Sequence, residues 1–146
     1  MEKIKIATAQ FENRSGDKAY NLAVIDRLSA QAAQAGAKVI TFHECSITGY
    51  TFARKLSREQ LLDISELIPD GPSTQELIRI ACKNQIVILA GLFEKDEEDR
   101  IFKGYVCVNQ HGLVAKYRKL HPFINPHILP GNEYVVFDLF GWKCGI

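Results

Sequence analysis

The order of patterns along the chain predicts an α/β protein, or a layered α+β one, in which a sheet is covered by helices. Three observations carry this. Residues 3–42 read strand, amphipathic helix, strand. The runs AKVITF at 37–42 and IVILAGLF at 86–93 are too continuously apolar for strands with one wet face, so both faces should be covered. Between these runs, Ser57 with Gln60 and Ser73 with Glu76 have the spacing of capping boxes, which mark two helix starts.

Taken in order, Ile4, Ile6 and Thr8 alternate with charged or small residues, so 3–11 is predicted as a strand. A loop with Gly16 and Asp17 follows. From 21 to 35, Ile25, Leu28, Ala32 and Ala35 recur at helical spacing, and Gly36 supplies the stop. The buried strand 37–42 comes next, then the two capped helices, separated by a turn at Asp70-Gly71-Pro72. After the strand 86–93, residues 101–108 and 113–118 form a hairpin about Gln110, His111 and Gly112. Pro122 to Glu133 is an irregular loop containing three prolines, and the chain closes on a hairpin, YVVFDL and WKCGI, turning at Gly141. There is no repeat, low-complexity segment or internal linker.

The 146 residues are 47% hydrophobic, enough for one domain that buries about two-thirds of its unfolded surface. The 18 basic and 17 acidic residues are interspersed, which argues against a nucleic-acid surface or a membrane-targeting patch. The opening MEKIKIATAQ lacks the apolar core of a signal peptide, and no apolar run approaches spanning length. A cytoplasmic protein is expected. Cys45, Cys82, Cys107 and Cys144 lie far apart among apolar neighbours, so they are expected to be free and buried rather than disulfide-bonded or metal-bound.

Two stretches carry candidate chemistry. In VITFHECSITGY, residues 39–50, Glu44 stands where a buried strand gives way to a loop, a place where a rigid scaffold can offer a general base. In AKYRKLHPF, residues 115–123, one of Tyr117, Arg118 and Lys119 should turn inward. An inward lysine needs an anionic partner such as Glu44, or a developing oxyanion. Taken singly, each has a plainer explanation, a surface glutamate at a strand end or a basic edge that discourages aggregation.

Taken together the stretches resemble a known family. ITFHECSITGY is similar to the glutamate signature of the nitrilase, or carbon-nitrogen hydrolase, superfamily, in which proline usually stands in place of His43. YRKLHPF is similar to its lysine signature, and LAGLFEKD before it and PGNEYVVFDLFGWKCGI after it follow the same order. The resemblance runs from the first strand to the last residue. It implies half of a four-layered α-β-β-α sandwich, with residues 1–146 the N-terminal part of a single domain whose remainder is absent. It also implies a Glu-Lys-Cys triad in which Glu44 is the general base and Lys119 stabilises the oxyanion and places the thiol.

The resemblance places the nucleophile a few residues beyond Ile146, so Cys144 is read as a buried strand residue. Either the sequence is a longer chain divided beside a reactive cysteine, or the protein is an N-terminal half. An isolated half would leave a sheet edge and face open, which favours the first. Cys45 adjoins Glu44, but strand neighbours point to opposite faces, so it is read as packing. His43 is read as a cap on the strand end, and His121 as orienting the loop after the lysine. Tyr50 is a candidate for the pocket mouth. Many relatives carry a further glutamate after the lysine; in INPHILPGNEY either Glu133 or His127 takes that substrate-positioning role, or the role is absent. Lys103 stands where relatives often have asparagine.

The expected activity is hydrolysis of non-peptide carbon-nitrogen bonds in linear amides or N-carbamoyl amines through a thioester, with nitrile hydrolysis as the minority possibility. No metal or organic cofactor is implied. The expected partner is a small-molecule amide, and the family's habit implies a homo-oligomer. The alternatives are a non-catalytic binding or assembly module that keeps the half-sandwich, and an unrelated α/β binding domain.

Overall fold

The computed structural model describes residues 3–146. Three strands, β1 (Ile6–Ala9), β2 (Val39–Phe42) and β3 (Val87–Lys95), run parallel. They continue into the antiparallel pair β4 (Ile101–Asn109) and β5 (Gly112–Arg118), so the sheet order is β1-β2-β3-β4-β5. A short strand, β6 (Ile128–Leu129), takes the edge of β4 that β5 leaves open, pairing with Ile101 and Phe102. Three helices, α1 (Lys18–Gln34), α2 (Arg58–Ile64) and α3 (Pro72–Asn84), fill the connections, with a 3-10 turn at Thr51–Lys55.

Strand alternation sorts the core into two faces. Ile40, Ile88, Leu92 and Val106 pack under Ile25 of α1 and Leu77 and Ile80 of α3. Val39, Val87, Cys107 and Ala115 turn the other way, toward Leu139. Leu139 belongs to the terminal hairpin, β7 (Val136–Leu139) and β8 (Trp142–Gly145), which covers part of the second face. Phe140 and Gly141, both at positive φ, make its two-residue turn, the mirror-image geometry that matches strand twist.

The helix starts are only partly as predicted. Ser57 forms a complete capping box with Gln60 at the head of α2. Ser73 does not: Pro72 occupies N1 of α3 and Gly71 is the N-cap, because proline needs no amide partner there and its fixed φ begins the helix two residues early. The Ser73 amide and hydroxyl instead donate to buried Glu66, at 2.7 and 2.8 Å, and Glu76 pairs with Arg79. β1 is shorter than the alternation suggested, beginning at Ile6, and the loop 122–133 contains β6. All four cysteines are free, but Cys82 is exposed and Cys144 half-buried rather than buried, since Leu77, Ile80 and Ala81 take the core-facing side of α3.

Candidate active site

Glu44 follows β2 at the head of a tight turn. The turn can lie against β3 only because Gly91 has no side chain: a Cβ there would stand 2.5 Å from the Cys45 backbone nitrogen. The Ile47 amide donates to the Gly91 carbonyl at 3.0 Å. From beneath, buried Asn21 donates to the Ile47 carbonyl at 2.8 Å, and the Tyr105 hydroxyl donates to the Phe42 carbonyl. The Glu44 carboxylate is thus carried on a backbone fixed from three sides.

Lys119 follows β5. Its backbone amide donates to Lys103 at 2.9 Å and its carbonyl accepts from Gly131 at 2.9 Å. A Cβ on Gly131 would stand 2.2 Å from the Arg118 carbonyl oxygen, so the loop can cross there only at glycine. This pinning sets the alternation of β5: Arg118 turns to one face, where it and Lys116 bind buried Glu94, and Lys119 turns to the other.

On that second face the Lys119 Nζ donates to Glu44 Oε1 at 2.9 Å. The hydrogen bond to Glu44 favours the ammonium and raises the lysine pKa, against an opposing effect of burial. The Lys103 Nζ reaches the same oxygen at 3.5 Å, from a side chain only 2% exposed, and lies 4.0 Å from the centre of the Tyr50 ring. With the carboxylate ionised, two ammonium groups and one carboxylate leave an excess positive charge, suited to an anionic intermediate. The three side chains share a cavity of about 330 Å³, whose walls include Phe42, Tyr105, Tyr117 and Ile146.

Of the residues singled out in the sequence, Glu44 and Lys119 come together in this cavity; Tyr50 lies against the Lys103 ammonium but is not in the cavity wall. Glu133 and His127 do not line this cavity; Glu133 is exposed in a separate cleft with Lys116 and Arg118, and His127 is exposed beside β6. Lys103 is the member whose role sequence reasoning missed. Its signal was present, a lone lysine inside the apolar run IFKGYVCV. Cys45 is fully buried, and burial pushes its thiol up to about 12; Cys107 is likewise buried and pushed up to about 12. In both, burial disfavours the thiolate. Among the described residues no three His, Cys, Asp or Glu side chains converge as metal ligands would, and no helix is long and apolar enough to cross a membrane.

Comparison with known proteins agrees with this architecture. The pattern that defines the carbon-nitrogen hydrolase family matches residues 5–143. A nitrilase from Pyrococcus abyssi is 32% identical, with 98% of this chain aligned to 54% of its length; an omega-amidase from Saccharomyces cerevisiae is 33% identical over 99% of this chain and 54% of its own. The crystal structure of a nitrilase-superfamily member from Saccharomyces cerevisiae superposes with a TM-score of 0.81 at 30% identity, covering 97% of this chain and 54% of that one. An amidase from Nesterenkonia sp. shares the fold at 22% identity and a TM-score of 0.77, again over 97% and 54%. The chain spans about half the length of the curated relatives it matches.

Proposed function

The chain belongs to the carbon-nitrogen hydrolase family, within the nitrilase superfamily, and from that premise we propose that the whole protein hydrolyses linear amides or N-carbamoyl amines. The observation that carries the reading is the 2.9 Å pair of Lys119 and Glu44, a proton acceptor and a cation side by side in one cavity.

In this reading Glu44 takes the proton of a cysteine thiol, and the thiolate attacks the carbonyl carbon while Lys119 faces the developing oxyanion. The carbon-nitrogen bond breaks, and the amine leaves with the proton that Glu44 held. Glu44 next takes a proton from water, the hydroxide adds to the thioester carbon, and the carbon-sulfur bond breaks. The proton returns to the thiolate, and the acid product ionises in water.

The nucleophile is assigned to a cysteine outside these 146 residues. Cys45 and Cys107 are buried with raised pKa values, and exposed Cys82 lies on α3, away from the cavity. Cys144 lies in β8 and is not in the cavity wall. In a chain of the relatives' full length, further residues would cover Tyr134 and Val136, which are 89% and 67% exposed. Four free cysteines suit a reducing, cytoplasmic setting. Nitrile hydrolysis is the second reading, favoured by the name nitrilase borne by the Pyrococcus abyssi relative.

The test uses the protein at the full length of its relatives, supplied in turn with a short aliphatic amide, an N-carbamoyl amine and a nitrile. Ammonia release, together with the mass of an acyl-enzyme caught by rapid acid quench, is expected with the first two. Loss of both signals in Glu44→Gln supports the assignment; turnover that survives that substitution rejects it.

A further inference from the structure

Lys103 sits near the start of β4, where its neighbours Ile101, Phe102, Val106 and Cys107 are all buried. An ammonium at 2% exposure is costly unless its charge is answered locally. Three groups answer it: the Tyr50 ring at 4.0 Å, the Phe123 ring at 5.3 Å and Glu44 Oε1 at 3.5 Å. Yet Glu44 already has the closer cation of Lys119, so a second lysine is not needed to neutralise it.

We propose that Lys103 is a positioning residue for Glu44, a fixed cation that orients the carboxylate from the β4 side. The proposal rests on the reading of Glu44 as the general base. It gives the two lysines different duties. Lys119 is about a third exposed and can turn to a substrate oxyanion; Lys103, enclosed by two aromatic rings, stays with Glu44 when Lys119 does so.

Among the described residues, Lys119 approaches Glu44 from the end of β5 and Lys103 from β4; Tyr50, in the loop after β2, lies against the Lys103 ammonium, Tyr117 faces the cavity, and His43 and Cys45 flank Glu44 in the chain. The buried Cys45 thiol is pushed up to about 12, so it adds no charge near neutrality.

The test compares the full-length protein with Lys103→Met, which keeps an unbranched stem between the rings without the charge. The side-chain carboxylate ¹³C resonance of Glu44, identified by its loss in Glu44→Gln, is recorded at neutral pH in each variant. It is expected to be displaced in Lys103→Met and to hold in Lys103→Arg, and kcat for amide hydrolysis should fall about tenfold in Lys103→Met with a smaller change in KM. An unchanged resonance in folded Lys103→Met overturns the proposal; should that variant fail to fold, Lys103→Gln is read by the same two outcomes. If the unsubstituted protein hydrolyses no amide, the catalytic reading fails, while the carboxylate resonance still decides whether Lys103 positions Glu44.

Discussion

Lys119 and Glu44, 75 residues apart in sequence, meet through a single hydrogen bond of 2.9 Å between the ends of β5 and β2. Neither end is free to drift, since Gly131 locks the one and Gly91 admits the other. On the proposed function, removing the ammonium removes charge stabilisation at the oxyanion. Lys119→Ala in the full-length protein is expected to lower kcat by about 10²- to 10³-fold, with a smaller change in KM. A variant that raised KM alone would make Lys119 a binding residue instead.

The same pair predicts an alkaline dependence of stability. The hydrogen bond from Lys119 to Glu44 raises the lysine pKa in the folded state. Its contribution is therefore fully present below the unfolded lysine value of about 10.4 and is lost as pH rises through the higher folded value. Both side chains are about a third or more exposed, at 34% and 41%, so the contribution is no more than about 1 kcal/mol. The urea midpoints of the parent and Lys119→Met should differ at neutral pH and converge in strong alkali. A gap that widened with rising pH would contradict the pairing.

How much of this was legible depended on whether a signal was local. The α1 periodicity, the Ser57 box and the apolar runs of β2 and β3 are written within a few residues and reappear in the fold. The Ser73 box was equally well written, yet Pro72 started the helix and buried Glu66, seven residues earlier, took the serine. Glu44 and Lys119 could be picked out only because two motifs were read together. Lys103 was visible as a residue but not as a role, because its meaning depends on Tyr50, Phe123 and Glu44, which only the folded sheet brings to it. Cys82 looked buried from its apolar neighbours, but helical rotation placed Ala81 and not Cys82 against the core.

Gly91 is predicted to tolerate no side chain without cost. A methyl group there meets the Cys45 backbone nitrogen at 2.5 Å and the Tyr105 ring at 3.2 Å, so the Glu44 turn must shift. Gly91→Ala should cost about 1–3 kcal/mol, the usual penalty of overpacking a fitted interior. Gly145→Ala is the comparison, since its Cβ would meet only the Val135 carbonyl oxygen at 3.7 Å. Equal urea midpoints for the two variants would mean that the turn does not lean on Gly91.

Thiol reactivity provides the last prediction, because it separates the four cysteines from the proposed nucleophile. With their thiols pushed up to about 12 by burial, Cys45 and Cys107 are on the order of one part in 10⁴ ionised near pH 8. In the 146-residue chain, iodoacetamide should therefore label exposed Cys82 first, half-buried Cys144 more slowly, and the other two only on unfolding. Peptide mapping of the alkylated protein reads this order directly. In a chain of the relatives' full length, a cysteine faster than Cys82 is expected outside these residues, placed beside a base as a nucleophile must be. If Cys45 instead led the series, the thiol next to Glu44 would be the reactive one, and the assignment of the nucleophile to residues beyond Ile146 would have to be abandoned.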